Sequence, residues 1–195
     1  LSRLKAETYY QHLWNLPVDP FKSSFSLINQ GSSFSRFFPE NTLFNKGNGV
    51  NKGVELTIEK FFSKKFFFLS TLSLYDSKYK GSDGVWRSTD YNGRYAINVL
   101  SGRDVSIGKN REFSFGTKVT YAGGRLYSPV DINLTQKNLN GDIVVVDSAR
   151  NSLRFNDYFR LDFRVTYRIN RKKFTHEIAL DLINVLNTKN CLLYT

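Results

Sequence analysis

The chain has 195 residues, enough for one domain; 41% of them are hydrophobic and 23% charged, and the net charge is +11. The basic residues are spread over the whole chain and not gathered on one stripe, which argues against a nucleic-acid-binding protein. A single cysteine, Cys191, and two distant histidines, His12 and His176, argue against an internal disulfide and a structural zinc site.

No signal peptide is visible, and no apolar run approaches the ~20 residues that a membrane-spanning helix needs. Strands can also cross a membrane, with about 9–11 residues each, of which only every second one must be apolar. The absence of Met, together with Leu1 as the first residue, predicts a chain that begins partway through a longer protein.

Hydrophobic residues recur along the chain with a period of two, which is the period of a β-strand. The first segment, Arg3–Leu16, has a mixed pattern, but Tyr9, Tyr10 and Trp14 favour a strand over a helix. Clearer alternation follows in VELTIEKFF, FSFGTKVTY and HEIALDLINVLN. The pattern predicts about seven strands, at residues 3–16, 43–62, 66–79, 94–108, 112–128, 157–170 and 174–187.

The segment Tyr158–Asn170, YFRLDFRVTYRIN, alternates without a break over its whole length. Its apolar residues, from Phe159 to Ile169, would share one face, and its polar residues, from Arg160 to Asn170, the other. Strands of globular proteins are usually about 5–6 residues long, so this length is typical of a tilted membrane-spanning strand.

The predicted connections alternate between short and long. Short basic connections lie at Ser63–Lys65, Lys109–Arg111 and Arg171–Lys173, and long polar ones at Pro17–Asn41, Gly81–Gly93 and Ile132–Asp157. This alternation is typical of bacterial outer-membrane barrels. The predicted fold is therefore an all-β, antiparallel, up-and-down transmembrane β-barrel. It would be incomplete, because an odd number of strands leaves two unpaired edges.

Four phrases of the sequence resemble the C-terminal barrel region of TonB-dependent outer-membrane receptors of Bacteroidota, and they occur in the order expected for that family. They are NKGNGVNKGVELTIEK (Asn45–Lys60), SLYDSKYKG (Ser73–Gly81), YAGGRLYSPVD (Tyr121–Asp131), and the near-terminal hairpin Tyr158–Asn190 with its Asp181, Asn184 and Asn187 pattern. The resemblance covers nearly the whole chain, residues 1–195.

The resemblance implies a receptor in the outer membrane of a Gram-negative bacterium that binds a scarce extracellular solute and imports it with energy from TonB. It also implies contact with outer-membrane lipid and lipopolysaccharide. A surface lipoprotein is a further partner that is compatible with the resemblance. Departures from the family pattern predict that the plug domain, the TonB box and the final strand are missing. Import would then be a function of the parent protein.

Charged residues of the last two predicted strands are the candidate ligand-binding residues, because they should face the barrel lumen. They are Arg160, Asp162, Arg164, Arg168, Glu177 and Asp181. The simpler interpretation, which we favour, is that they form cross-strand ion pairs that hold neighbouring strands in register.

Aromatic residues suggest two further features. Phe61, Phe62 and Phe66–Phe68 flank the basic turn and predict an interfacial girdle, with a soluble core as the alternative. The loop Pro17–Asn41 contains five phenylalanines that could contact a ligand or pack on their neighbours: Phe21, Phe25, Phe34, Phe37 and Phe38.

The sequence contains no Ser-His-Asp arrangement, nucleophile elbow or phosphate loop, and Gly123–Gly124 is not followed by a helix. We therefore expect neither an enzyme nor a bound cofactor. Two other functions stay open. One is a soluble all-β binding or adhesion module, which would bury Phe159, Leu161, Phe163 and Val165 against a second sheet. The other is a passive porin-type barrel.

Overall fold

The computed structural model describes residues 1–30, 42–138 and 141–190. Most of these residues belong to ten β-strands. The strands are β1 (Ser2–Val18), β2 (Phe44–Ser63), β3 (Phe66–Lys80), β4 (Trp86–Ser88), β5 (Tyr95–Ser106), β6 (Arg111–Ala122), β7 (Leu126–Tyr127), β8 (Leu153–Arg154), β9 (Tyr158–Asn170) and β10 (Thr175–Leu182). One short helix, α1 (Ile132–Lys137), and two 3-10 turns, Leu27–Asn29 and Asp147–Ala149, lie in the long connections.

Seven long strands form one antiparallel sheet in the order β1-β2-β3-β5-β6-β9-β10. Each long strand pairs with the next long strand along the chain, so the sheet is a meander. Two short additions complete the strand pairing: β4 extends the sheet beside β3, and β7 pairs with β8. The predicted all-β antiparallel fold is confirmed, but in the described residues β1 and β10 do not pair with each other and the sheet is not closed.

The register places like residues in rows across the sheet, because directly opposite residues point to the same side. One face, here called the apolar face, contains the row Leu4, Ile58, Ser70, Val99, Val119 and Leu161. The other, the polar face, contains the next row, Lys5, Thr57, Thr71, Asn98, Thr120 and Arg160.

The apolar face has no second layer of protein over it in the described part of the chain. Val18 and Tyr79 are the buried hydrophobic residues of the described ranges, and Tyr79 lies on the polar face. On the apolar face, Leu4, Val54 and Ile178 are 69%, 52% and 68% exposed. Exposed apolar surface of this extent marks a contact surface for lipid or for another protein layer.

The turn at Lys64 and Lys65 fixes the register between β2 and β3. Both residues have positive φ, 51° and 63°, and Ser63 pairs with Phe66 across them. A two-residue loop with both φ values positive is a type I′ turn, whose twist matches that of the flanking strands. Because consecutive long strands run antiparallel, the three short connections all lie at one end of the sheet, here called the short-turn end, and the long connections lie at the other.

Two of the predicted strand ends are wrong. The strand predicted at 112–128 ends at Ala122, where the carbonyl oxygens of Gly93 and Phe155 approach Gly123 and Gly124 so closely that a Cβ atom at either position would collide with them. The strand predicted at 174–187 ends at Leu182, where Asn184 and Asn187 adopt positive φ, a conformation that asparagine tolerates well.

The predicted loop 132–157 contains helix α1, which begins where the Asp131 side chain accepts a hydrogen bond from the backbone N–H of Leu134 at 2.9 Å. In addition, Phe67 does not share a face with Phe66 and Phe68. It lies opposite Gly102 on the polar face, since successive side chains of a strand alternate.

Candidate functional site

The six predicted site residues lie together on the polar face of β9 and β10. Arg160, Asp162, Arg164 and Arg168 occupy alternate positions of β9, and Glu177 and Asp181 lie on the neighbouring strand. The register puts Arg168 opposite Glu177 and Arg164 opposite Asp181. The strict alternation of the sequence is what brings these charges to one side.

A ladder of charges crosses the polar face near the short-turn end. Arg168 donates to Glu177 from Nη2 at 2.9 Å and to Glu112 on β6 from Nη1 at 3.4 Å. Glu112 in turn lies 3.7 Å from the ammonium group of Lys65, which also contacts Ser106. The charges alternate in sign from the β2–β3 turn to β10, so each compensates its neighbour.

The remaining charges pair differently. Arg164 reaches Asp181 across the strands at 3.2 Å, in a contact where both side chains are more than half exposed. Arg160 pairs with Asp162 two residues along the same strand at 2.9 Å. Asp162 also accepts a hydrogen bond at 3.0 Å from the backbone N–H of Asn184, which anchors the turn after β10. Ion pairing across strands therefore accounts for four of the six residues.

A cavity of about 340 Å³ lies beside these charges. Six of the residues that line it are Phe67, Gly116, Lys118, Asp162, Arg164 and Asp181. Gly116 lies opposite Gly102, and the ring of Phe67 lies over Gly102. Because neither glycine has a side chain, space is left on the polar face at this point. A cavity with an aromatic ring and charges of both signs can contact a polar or hydroxylated solute. Phe67 and Lys118 were not among the predicted site residues; the glycines at 102 and 116 in neighbouring strands were the available signal.

The long connections interlock into a polar cluster at the opposite end of the sheet. The Asp90 carboxylate accepts hydrogen bonds from the side-chain amides of Asn29, at 2.9 Å, and Asn151, at 2.7 Å. Ser24 contacts Asp147 through both its backbone N–H, at 2.8 Å, and its hydroxyl. Asn29, Asn151 and Ser24 are all buried. Three separate loops thus form one preorganised unit, here called the loop cluster.

A buried ion pair ties part of this cluster together. Arg87 lies 2.6 Å from Asp83, with side chains 6% and 9% exposed, and donates to the carbonyl oxygen of Ser148 at 3.3 Å. Burial acts to raise the pKa of Asp83. The hydrogen bond from Arg87, the N–H of Val85 and the guanidinium charge outweigh that effect and hold this pKa below its ordinary value.

Asp157 joins the loop cluster to the strands. Its carboxylate accepts hydrogen bonds from the Tyr95 hydroxyl, the Tyr121 hydroxyl at 3.0 Å and the Gly124 N–H at 3.0 Å. The hydrogen bond from Tyr95 is the main reason why the pKa of Asp157 lies below its ordinary value. Asp157 thereby fixes where β6 ends and β9 begins.

The phenylalanine-rich loop is described only in part. Phe21 is 68% exposed and Phe25 is half-buried, whereas Phe34, Phe37, Phe38 and also Cys191 lie outside the described residues. Within residues 1–30, 42–138 and 141–190, no group of three or more His, Cys, Asp and Glu side chains could hold a metal ion. No helix in these same ranges is long and apolar enough to cross a membrane.

Comparisons of the chain with protein-family models, with curated proteins and with solved structures found no significant match.

Proposed function

We propose that this sheet is part of the wall of a transmembrane β-barrel in a bacterial outer membrane, with its apolar face toward lipid and its polar face toward the lumen. One observation carries the proposal: the apolar face extends over all seven long strands and remains uncovered in the described residues. Lipid is the one cover that needs no second protein layer.

Two aromatic rows on the apolar face support this proposal. Tyr95, Tyr121 and Phe159 lie toward the long-loop end, and Phe66, Phe113, Phe115 and Tyr167 toward the short-turn end. From Phe113 to Tyr121, β6 rises about 26 Å at the usual ~3.3 Å per residue. A strand tilt of about 40° reduces this rise to roughly 20 Å, close to the apolar band of outer-membrane barrels.

The two edges of the sheet fit the same proposal. β1 pairs with β2 alone and β10 with β9 alone in the described residues, and every residue of β10 is exposed. Unpaired backbone groups are costly in a membrane, so further strands must pair with both edges. The sheet would then be one sector of a larger closed barrel.

We further propose that the barrel is a TonB-dependent importer, in line with the resemblance of its four sequence phrases. The charge ladder and the 340 Å³ cavity would line the lumen, and the loop cluster would lie at the extracellular end. Its partners would be outer-membrane lipid, TonB and a surface lipoprotein. In this proposal the transported solute, whether an iron chelate, cobalamin, an oligosaccharide or a peptide, is bound from outside the cell.

Lipid-quenching experiments test the membrane assignment. Single cysteines at Phe115 and Val165, which are direct partners on the apolar face, are compared with cysteines at Ser114 and Thr166, direct partners on the polar face. Cys191→Ser serves as the background, and the full-length protein is used in native outer membranes. A fluorophore at 115 or 165 should be quenched by lipids with a nitroxide in the acyl chain, and one at 114 or 166 should not.

A soluble two-sheet module predicts a different result. Fluorophores at 115 and 165 would then be shielded by protein, and all four positions would be insensitive to the nitroxide lipids. That outcome would remove the membrane proposal.

A genetic comparison tests import. Deleting this gene and deleting the TonB gene should cause the same growth defect on one member of a panel of scarce iron chelates, cobalamin, oligosaccharides and peptides. A defect that follows this gene but not TonB would indicate a passive porin.

A further inference from the structure

We propose that the apolar face carries a binding site for the phosphorylated disaccharide headgroup of lipid A, the glycolipid of the outer leaflet, at the long-loop ends of β1, β2 and β3. This inference rests on the proposed membrane orientation. It adds a defined lipid site to it.

Above the row Thr8, Val54 and Leu74, the apolar face changes character. The next row on that face is Tyr10, Lys52 and Asp76. Lys78 and Lys80 follow at alternate positions of β3, so they point to the same side. These three lysines and Asp76 leave a net charge of +2 immediately beyond the aliphatic residues.

The spacing of the three lysines lets them contact more than one oxygen of a phosphorylated headgroup. Lys78 lies opposite Val50, two residues from Lys52, which makes Lys52 and Lys78 diagonal neighbours about 7–8 Å apart. Lys80 continues the series about 7 Å further along the strand. Asp76 lies 3.3 Å from the Lys78 ammonium and 4.0 Å from that of Lys52, which holds both lysine side chains over the same place. Those two lysine side chains remain 48% and 58% exposed, so both can reach a ligand.

A cleft of about 430 Å³ lies at the boundary between the two zones. Its walls include Tyr10, Lys52 and Asp76 on the charged side and Val54 and Leu74 on the aliphatic side. The backbone around Gly53 forms its floor, since the Gly53 row lies between these two rows. A molecule that fills this cleft therefore meets cationic groups at one end and hydrocarbon at the other.

Aromatic side chains flank the lysines on the same side of the sheet. Tyr10, Trp14 and Trp86 are 71%, 66% and 46% exposed. The Lys80 ammonium lies 5.6 Å from the centre of the Trp86 ring, and the Trp14 ring lies 5.9 Å from that of His12. Aromatic faces and tyrosine hydroxyls suit sugar rings. On one side of the sheet, the lysines can contact phosphate, the aromatic residues can contact sugar, and Val54 and Leu74 can contact an acyl chain. This surface, here called the lysine patch, therefore favours a phosphorylated glycolipid over a simple phospholipid.

The site faces away from the lumen, which excludes it from the solute path of the proposed importer. Its position at the level of the upper aromatic row, next to Val54 and Leu74, is where the headgroups of the outer leaflet would lie. A free phosphate ion would use the lysines alone and would leave the aromatic and aliphatic walls unused.

The test compares two triple variants of the full-length protein purified in detergent. Lys52→Gln, Lys78→Gln and Lys80→Gln remove the patch. The control variant, Lys109→Gln, Lys172→Gln and Lys173→Gln, removes the same charge at the short-turn end. Binding of lipid A, of phosphatidylglycerol and of inorganic phosphate is measured separately for each protein. Heat-modifiable gel mobility shows whether each variant is folded.

We expect the wild type and the control to bind lipid A, and the patch variant to bind it at least about tenfold more weakly, given the surface attraction of each lysine for anionic lipid. Equal binding by patch and control variants would overturn the proposal. So would equal affinity for phosphatidylglycerol, or full competition by inorganic phosphate. If the nitroxide lipids quench at 115 and 165 but the patch variant still binds lipid A normally, the lipid site fails while the membrane orientation stands.

Discussion

Arg168 lies directly opposite Glu177, and its guanidinium donates two hydrogen bonds to one carboxylate oxygen of that residue, from Nε at 3.1 Å and from Nη2 at 2.9 Å. Arg164, four residues earlier in β9, also lies directly opposite Asp181, but this pair shares a single contact of 3.2 Å. Glu112 additionally holds Arg168 from the other side. The two pairs have the same strand geometry and differ in how firmly the arginine is held.

We expect the Arg168–Glu177 pair to be more strongly coupled than the Arg164–Asp181 pair. A double-mutant cycle with Arg168→Gln and Glu177→Gln should give a coupling energy of about 0.5–1 kcal/mol, the upper part of the range for cross-strand charge pairs. The same cycle with Arg164→Gln and Asp181→Asn should give less, since both side chains are more than half exposed. Urea unfolding of the full-length protein in detergent measures both. Equal couplings would show that the second hydrogen bond and Glu112 add nothing.

Gly102 and Gly116 provide a second matched comparison. They are direct partners on the polar face, yet a Cβ at Gly102 would collide with the Phe67 ring, whereas one at Gly116 would meet Arg164 Cβ at 3.6 Å. We expect Gly102→Ala to displace the Phe67 ring and destabilise the sheet by about 1–2 kcal/mol. Gly116→Ala should be neutral or slightly stabilising, because it fits and restricts the unfolded chain. Urea unfolding of both variants checks this, and similar losses in the two would contradict it.

Period-two alternation predicted most of the long strands and the placement of Arg160 to Arg168 on one face, whereas β1 was predicted from the strand preference of Tyr9, Tyr10 and Trp14. Each of those strands was predicted from its own residues, and the short, basic connections between some of them limited the order in which they could pair. The strand predicted at 112–128 ran past the glycines at 123 and 124, because the sequence alone does not show that the carbonyl oxygens of Gly93 and Phe155 leave no room for a side chain there.

The loop cluster could not be predicted in the same way. Asp90 is held by Asn29 and Asn151, which are 61 residues away on either side, and polar loop residues carry no periodic signal. The cavity depends on the ring of Phe67, which belongs to a run of three phenylalanines that look equivalent in sequence. Long-range partners therefore decide these features, and local patterns do not reveal them.

A substitution in the Lys64–Lys65 turn should increase the stability of the protein. Non-glycine residues with positive φ are strained, and asparagine tolerates this conformation better than lysine does. Lys64→Asn should therefore stabilise the protein by about 0.5–1 kcal/mol, because it favours the type I′ turn. Lys172→Asn, in a turn whose residues lack positive φ, is the control and should give no gain. Thermal unfolding of the two variants compares them, and a gain of the same size in both would assign the effect to charge removal.

The buried pair Asp83–Arg87 should make the loop cluster sensitive to acid. The pKa of Asp83 in the folded protein lies below its ordinary value, so its contribution to stability is complete above the unfolded pKa of about 3.9. That contribution is lost as the pH falls through the folded pKa. Asp83→Asn should destabilise the cluster by about 2–3 kcal/mol at neutral pH, because it leaves the Arg87 cation buried without its charge partner.

Pepsin, which is active in acid, can follow this opening at the segment 144–151, where Arg87 holds the Ser148 carbonyl. In the wild type, cleavage should be slow at pH values above the ordinary aspartate pKa and should accelerate as the pH falls through the lowered pKa of Asp83. In Asp83→Asn, cleavage should be fast throughout, apart from the intrinsic pH dependence of pepsin. Glu7→Gln is the control, because Glu7 and its partner Lys5 are at least half exposed, and it should behave as the wild type does. An acid-induced acceleration that persists unchanged in Asp83→Asn would show that the Asp83–Arg87 pair is not the source of the sensitivity.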